Sequence, residues 1–186
     1  MPHSDAPVAP PLSPDVWPSS LHSMRAGFAG QLNVYKVMAH HPALLRAWAT
    51  LRQHVVIDSS LSKRHSEIVI LRAGHRWGAH YEWVHHVVRG RQAGLTDADI
   101  AAVRADPSQW PAGEVETALK QAVDSLLDDG QLRPDMIHQL RSFIGLTGIF
   151  DVMATVGMYS TLAFIVKSFH TPLEPEILSA AGTALL

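Results

Sequence analysis

The chain has 186 residues, 47% of them hydrophobic, which is the length of one domain with enough apolar side chains to fill a core. Its 15 Lys and Arg are scattered among 17 Asp and Glu, for a net charge of -2, so no basic stripe follows a phosphate backbone and nucleic acid is not an expected partner. No cysteine is present, which excludes disulfides, thiolate nucleophiles, cysteine zinc sites and CxxC redox chemistry; with no basic and apolar blocks of a secretory signal, a cytoplasmic location is expected.

Residues 1–18 hold six of the 12 prolines, a density that no apolar periodicity survives. An irregular N-terminal arm is therefore expected over 1–19, loose or clasping a partner, followed by one helical domain over 20–186. From about 20 to 38, Leu21, Met24, Phe28, Leu32, Tyr35 and Met38 recur every three or four positions, which predicts an amphipathic helix. Pro42 opens the next helix, with His41 at its start and Leu44, Leu45, Trp48, Leu51 and Val55 on its apolar face. A serine cap then precedes a run from 61 onward. Ile68 to Leu71 are β-branched enough for a strand, but their register with Leu61 and the lack of a second strand candidate favour a helix.

Gly74 and Gly78, in "AGHRWGAH", predict the turn of a helical hairpin whose second arm runs from about 79 to 92. Thr96 with Asp99 begins a short helix with a capping-box spacing, and Pro107 and Pro111 mark a loop. Residues 114–128 form a further helix. Residues 134–168 are one kinked helix or two consecutive ones, jointed at Gly145 and Gly148. Within them, 143–166 is long enough to span a bilayer. Asp151 at its middle costs roughly 2.5–3.5 kcal/mol on insertion scales, so a core or interface helix is the expectation. The fold class is all-α.

Chemistry concentrates in "GAHYEWVHHV", residues 78–87. Glu82 and His86 are four apart, so on a helix their Cβ atoms lie roughly 6 Å apart and the two groups can share a proton. A hairpin centred near residue 76 places Glu67 opposite position 85. Three ionisable groups then converge from two helices. Crowding and burial should raise a carboxyl pKa and stabilise imidazolium, the tuning that lets such groups exchange protons near neutral pH. The same spacing also fits an ordinary helix-surface pair. A metal site is disfavoured because His85 and His86 point about 100° apart and neither H-E-x-x-H nor paired E-x-x-H is present. No serine stands in a nucleophile elbow.

Three stretches carry a resemblance: "NVYKVMAHHPALLRAW", "LSKRHSEIVILRAGHRWGAHYEWVHHVVRGRQAGLTDADIAAV" and "GMYSTLAFIV". Over about residues 20–175 the chain resembles the carboxymuconolactone decarboxylase-like superfamily, which includes AhpD-type hydroperoxidases. The specific element is an acid, a C-x-x-C pair beginning twelve residues later, and a His four after the second Cys. These positions are Glu67, Ala79 and Glu82, and His86. Without thiols, disulfide-based peroxide reduction is not available. Glu followed by His is similar to the decarboxylase branch, and the resemblance implies no metal or organic cofactor. It also implies an α-helical homo-oligomer, a trimer or hexamer, acting on a small molecule. Ser66 stands where relatives often carry Arg.

The expected activity is acid–base proton transfer next to a carbonyl, with decarboxylation of a carboxylactone or β-keto acid as its specific form. His86 would be the general acid/base, Glu82 its partner or second acid, and Glu67 the orienting group. A hydratase or ring-opening enzyme using the same pair, and a non-catalytic ligand-binding scaffold, are the alternatives. Tyr35, Trp77, Tyr81, Asp151 and Tyr159 are expected to contact substrate; His40, Trp48, Trp83 and Phe150 are weaker candidates on the same grounds. Arg72 and Arg89 divide between salt bridges and a substrate carboxylate. His85 is expected to pack or face solvent, and His3, His22, His54, His138 and His170 to be structural or at the surface.

Overall fold

The computed structural model describes residues 8–107 and 113–182, and all regular structure among them is helical. The helices are α1 (Phe28–Gln31), α2 (Asn33–Met38), α3 (Pro42–Arg52), α4 (Lys63–Arg76), α5 (His80–Gln92), α6 (Asp97–Arg104), α7 (Glu114–Asp128), α8 (Pro134–Ser168) and α9 (Pro175–Ala181). A π-helical turn, Gln53–Asp58, extends α3. His3 and Pro111 lie outside the described residues.

The expected long helix over 20–38 is three pieces, a 3-10 turn over Ser19–Met24 followed by α1 and α2. The cause is close backbone approach. A Cβ on Gly30 would fall 1.8 Å from the Arg25 carbonyl oxygen, and Gly27 and Leu32 take extended conformations at the breaks. The apolar spacing survives without continuous helix, because Leu21, Ala29, Val34, Tyr35 and Met38 all enter one core cluster. Residues 8–18 are irregular apart from a 3-10 turn, Pro14–Val16, yet held. Trp17 is buried and donates from Nε1 to the Leu12 carbonyl, whose own N–H donates to the Lys36 carbonyl.

α4 is the central element. Ser66 and Ile68 to Gly74 are all buried, and the helix packs against α5, α6, α7 and α8. Ser62 caps it by accepting from the His65 N–H. β-branched Ile68, Val69 and Ile70 tolerate helix here because burial, at roughly 1.5–3 kcal/mol per large aliphatic side chain, outweighs a propensity penalty of well under about 1 kcal/mol each. The hairpin turn is Trp77–Ala79, with Gly78 at φ 58°; Gly74 instead lies within α4, where a Cβ would meet Glu82 Cβ at 3.6 Å. The Thr96–Asp99 capping box is formed in both directions.

α8 spans the predicted 134–168 and bends at Gly145, φ 68° and ψ 177°. A left-handed φ at this joint favours glycine; Gly148 stays helical and buried. α8 passes a length-and-composition test for crossing a membrane, but more than half of its most apolar stretch is buried against the other helices. Its inner face, from Ile149 through Val152, Val156, Tyr159 and Leu162 to Val166, belongs to the main core.

Candidate active site

Glu67 sits in the second turn of α4, and Glu82 and His86 on one face of α5, which returns antiparallel beside it. The hairpin closes as its spacing predicts: His86 Nδ1 lies 2.6 Å from Glu67 Oε2. That contact fixes the ring and leaves Nε2 on the opposite side, directed toward Glu82 Oε2 at 3.9 Å. This separation is too long for a hydrogen bond, so the expected direct sharing of a proton between Glu82 and His86 does not occur. Instead the two groups face a common point.

Their environments separate their charge states. Glu82 is 4% exposed, and its Oε1 has no hydrogen-bond partner. Burial pushes its carboxyl up to about 8, with Arg89 opposing and Glu174 reinforcing the shift, so it is largely protonated at neutral pH. His86 is 2% exposed. Burial lowers its pKa and the Glu67 carboxylate only partly offsets this, so the imidazole is neutral, contrary to the expected imidazolium. A neutral carboxylic acid and a neutral imidazole are a complementary donor and acceptor.

Around them runs a narrow cavity lined by Leu32, Val34, Tyr35, Tyr81, Glu82, His85, His86, Arg89, Tyr159 and Leu162. Its free interior is about 10 Å³, room for roughly one water. Tyr159 meets the His86 ring edge-on at 5.0 Å, and burial raises the pKa of both Tyr35 and Tyr159, keeping them as phenols.

Three of the five predicted substrate-contacting residues, Tyr35, Tyr81 and Tyr159, line this cavity; Trp77 and Asp151 do not. Trp77 donates from Nε1 to Ser160 Oγ at 2.8 Å and packs edge-on against Phe164. Asp151 accepts from the Ser60 N–H at 2.7 Å, Ser60 Oγ at 2.6 Å and Ser59 Oγ at 3.3 Å, and contacts His54 Nε2 at 2.7 Å. It ties α8 to the start of α4. His40, Trp48, Trp83 and Phe150 also lie off the cavity lining. Arg72 is structural, forking onto Asp124 at 2.8 and 2.7 Å and donating to the Val103 and Ala105 carbonyls. Arg64 turns to the Gly94 carbonyl and Asp99, so it does not replace the arginine that Ser66 lacks.

Sequence reasoning missed Glu174. It precedes the first residue of α9, and its carboxylate, rather than capping that helix, gathers the Asn33 N–H at 2.6 Å, Tyr81 OH at 2.8 Å and His85 Nε2 at 2.7 Å. Although burial raises it, these bonds hold its pKa down at about 2. His85, expected to pack or face solvent, is thus a buried partner of Glu174. The one available signal was an acid set between Leu173 and Pro175, a helix-opening proline. Among the described residues, no cluster of three or more His, Asp and Glu side chains is arranged to hold a metal ion.

The fold is shared with solved structures. An AhpD-core, peroxidase-related protein from Ralstonia eutropha JMP134 aligns at TM-score 0.79 and 14% identity, over 90% of this chain and 92% of its own. A peroxidase-related protein from Silicibacter sp. TM1040 gives 0.77 and 14%, over 94% and 97%. The debrominase Bmp8, as a cysteine-to-alanine variant in complex with 2,3,4-tribromopyrrole, gives 0.77 and 13%, over 95% and 97%. No curated protein matches the chain in sequence. Residues 42–125, from α3 into α7 and including Glu67, Glu82 and His86, match the carboxymuconolactone decarboxylase family, and this match, set in an AhpD-like architecture, supports the resemblance of the chain to the carboxymuconolactone decarboxylase-like/AhpD-like superfamily.

Proposed function

We propose that this protein is a cofactor-independent enzyme that moves a proton at a carbon next to a carbonyl, with decarboxylation of a carboxylactone or β-keto acid as the favoured form. The observation that carries the reading is the pairing of a Glu67-oriented His86 with a buried Glu82 whose carboxyl is neutral and has one oxygen unpartnered. In the decarboxylation, the bond from carbon to the departing carboxylate breaks and its electron pair moves into the adjacent carbonyl as an enolate. CO2 leaves, Glu82 donates its proton to the enolate carbon, and His86 takes a proton from water at Nε2 and passes it to Glu82, leaving hydroxide to the solvent. In simple exchange, His86 removes the proton and Glu82 hydrogen-bonds the developing oxyanion. The debrominase activity of a structural neighbour agrees with small-molecule catalysis on this scaffold.

Room for one water beside Glu82 and His86 favours hydration or hydrolytic ring-opening as the second reading, with His86 activating that water. The proposal includes self-association, supported by Leu146, Phe150 and Phe164, which α8 leaves exposed.

The test is proton NMR in D2O with a panel of lactones and keto acids. Deuterium incorporation or CO2 loss is expected with the native protein and should fall at least about 10²-fold in His86→Asn and in Glu82→Gln. Full activity in either folded variant overturns the assignment.

A further inference from the structure

Glu82, His86 and Arg89 are spaced four and three apart and form one stripe of α5 facing the cavity. Of the ten residues lining that cavity, eight are buried; only Leu32 and Arg89 are partly exposed. These two therefore mark its mouth. Arg89 is also unlike the other arginines of the hairpin. Arg72 and Arg76 hold Asp124, and Arg91 holds Asp97 at 2.7 Å. Among the described residues, Arg89 makes no ion pair and no hydrogen bond, although its guanidinium charge is felt by Glu82, His86, Tyr35 and Tyr159. A half-buried guanidinium without an internal carboxylate, at the entrance to a cavity whose own acid has an unpartnered oxygen, is matched to an anion from outside.

We propose that Arg89 is the anchor for an organic carboxylate, gripping it through its planar fork at the cavity mouth so that the reacting carbon of the same molecule reaches the point between Glu82 and His86. The proposal rests on the acid–base reading above and narrows its substrate to a molecule with a carboxylate apart from the reacting centre. An ion pair with Arg89 stabilises the carboxylate in the ground state and so opposes its departure. The anchored group is accordingly one that stays in the product.

The test is direct binding, independent of turnover. Acetate, levulinate and benzoate are titrated into the full chain and followed by NMR or calorimetry, with benzamide as the uncharged control. The native protein should bind at least one of the three acids more tightly than the amide. Arg89→Gln should weaken that acid about 10- to 100-fold, the size expected for loss of a charge-assisted bidentate contact. Arg89→Lys, which keeps the charge and loses the fork, should fall between them and serves if Arg89→Gln does not fold. Binding of none of the three acids, or equal binding by native protein and variants, overturns the proposal. So does a smaller oligomer in Arg89→Gln with acid binding intact, which would assign the residue to a subunit contact. Proton exchange that needs His86, alongside carboxylate binding indifferent to Arg89, would reject the anchor and keep the acid–base site. Arg89-dependent binding without exchange would do the reverse.

Discussion

Two buried glutamates, Glu174 beside His85 and Glu82 beside His86, have opposite charge states. Glu174 has its carboxylate filled by an amide N–H, a phenol and His85, and its pKa is held at about 2. Glu82 has an oxygen without a partner, and burial lifts it to about 8. Depth alone does not decide which buried acid is an anion. The number of donors aimed at it does, because each donor replaces part of the lost hydration. The first arrangement ties the C-terminal strap to α2 and α5; the second keeps a proton available.

The largest effect expected from breaking this contrast is on catalysis, the loss of at least about 10²-fold on removing the Glu82 carboxyl or the His86 ring. Next comes the anchored acid. Glu174→Gln should destabilise the fold by about 2–4 kcal/mol at pH 7, since His85 and Tyr81 lose a charged acceptor, as read by urea unfolding. Glu174 has a folded pKa of about 2, below its ordinary value of 4.5. Its contribution is therefore present above pH 4.5 and lost as pH falls toward 2, so native protein and variant should converge in acid.

Glu82→Gln should act in the other direction. A folded pKa of about 8 against 4.5 means that the folded state holds the extra proton between those values. Stability from this group is then present below pH 4.5 and falls as pH rises through 8. The glutamine variant should lose that slope and be at least as stable as the native protein at pH 8. A steeper decline in the variant would show that Glu82 is an anion in the fold. The smallest change is Tyr81→Phe, which strips one donor from Glu174 and the acceptor of the Val34 N–H. A cost of about 1–2 kcal/mol is expected, with an acid transition shifted to higher pH as the Glu174 pKa rises.

The same contrast explains what was legible in the chain. Glu67, Glu82 and His86 lie within twenty residues, on two helices joined by a turn. Helical spacing and hairpin geometry suffice to bring them together, and the resemblance identified the same three. Glu174 reaches His85 across 89 residues, through a strap whose path depends on how the core closes, and no local period encodes that return. Tyr35, Tyr81 and Tyr159 were found because an aromatic on an inward stripe faces the nearest cavity. Trp77 stands in the hairpin turn and Asp151 on α8 is taken up by Ser59, Ser60 and His54, and periodicity reports neither. Helices α3 to α8 follow from proline, capping and apolar spacing. The break of 20–38 into pieces came from the backbone contact at Gly30, which leaves no mark on hydrophobic pattern.

Gly74 sets the gauge of the hairpin. A Cβ added there would just touch Glu82 Cβ at 3.6 Å, so alanine is accommodated and any longer side chain must wedge α5 away from α4. Because Glu67 is rooted in one jaw and Glu82 with His86 in the other, position 74 is a mechanical adjustment for the proposed site. A graded series of side chains there would vary the separation of Glu67 from Glu82 and His86 while leaving each of them chemically intact.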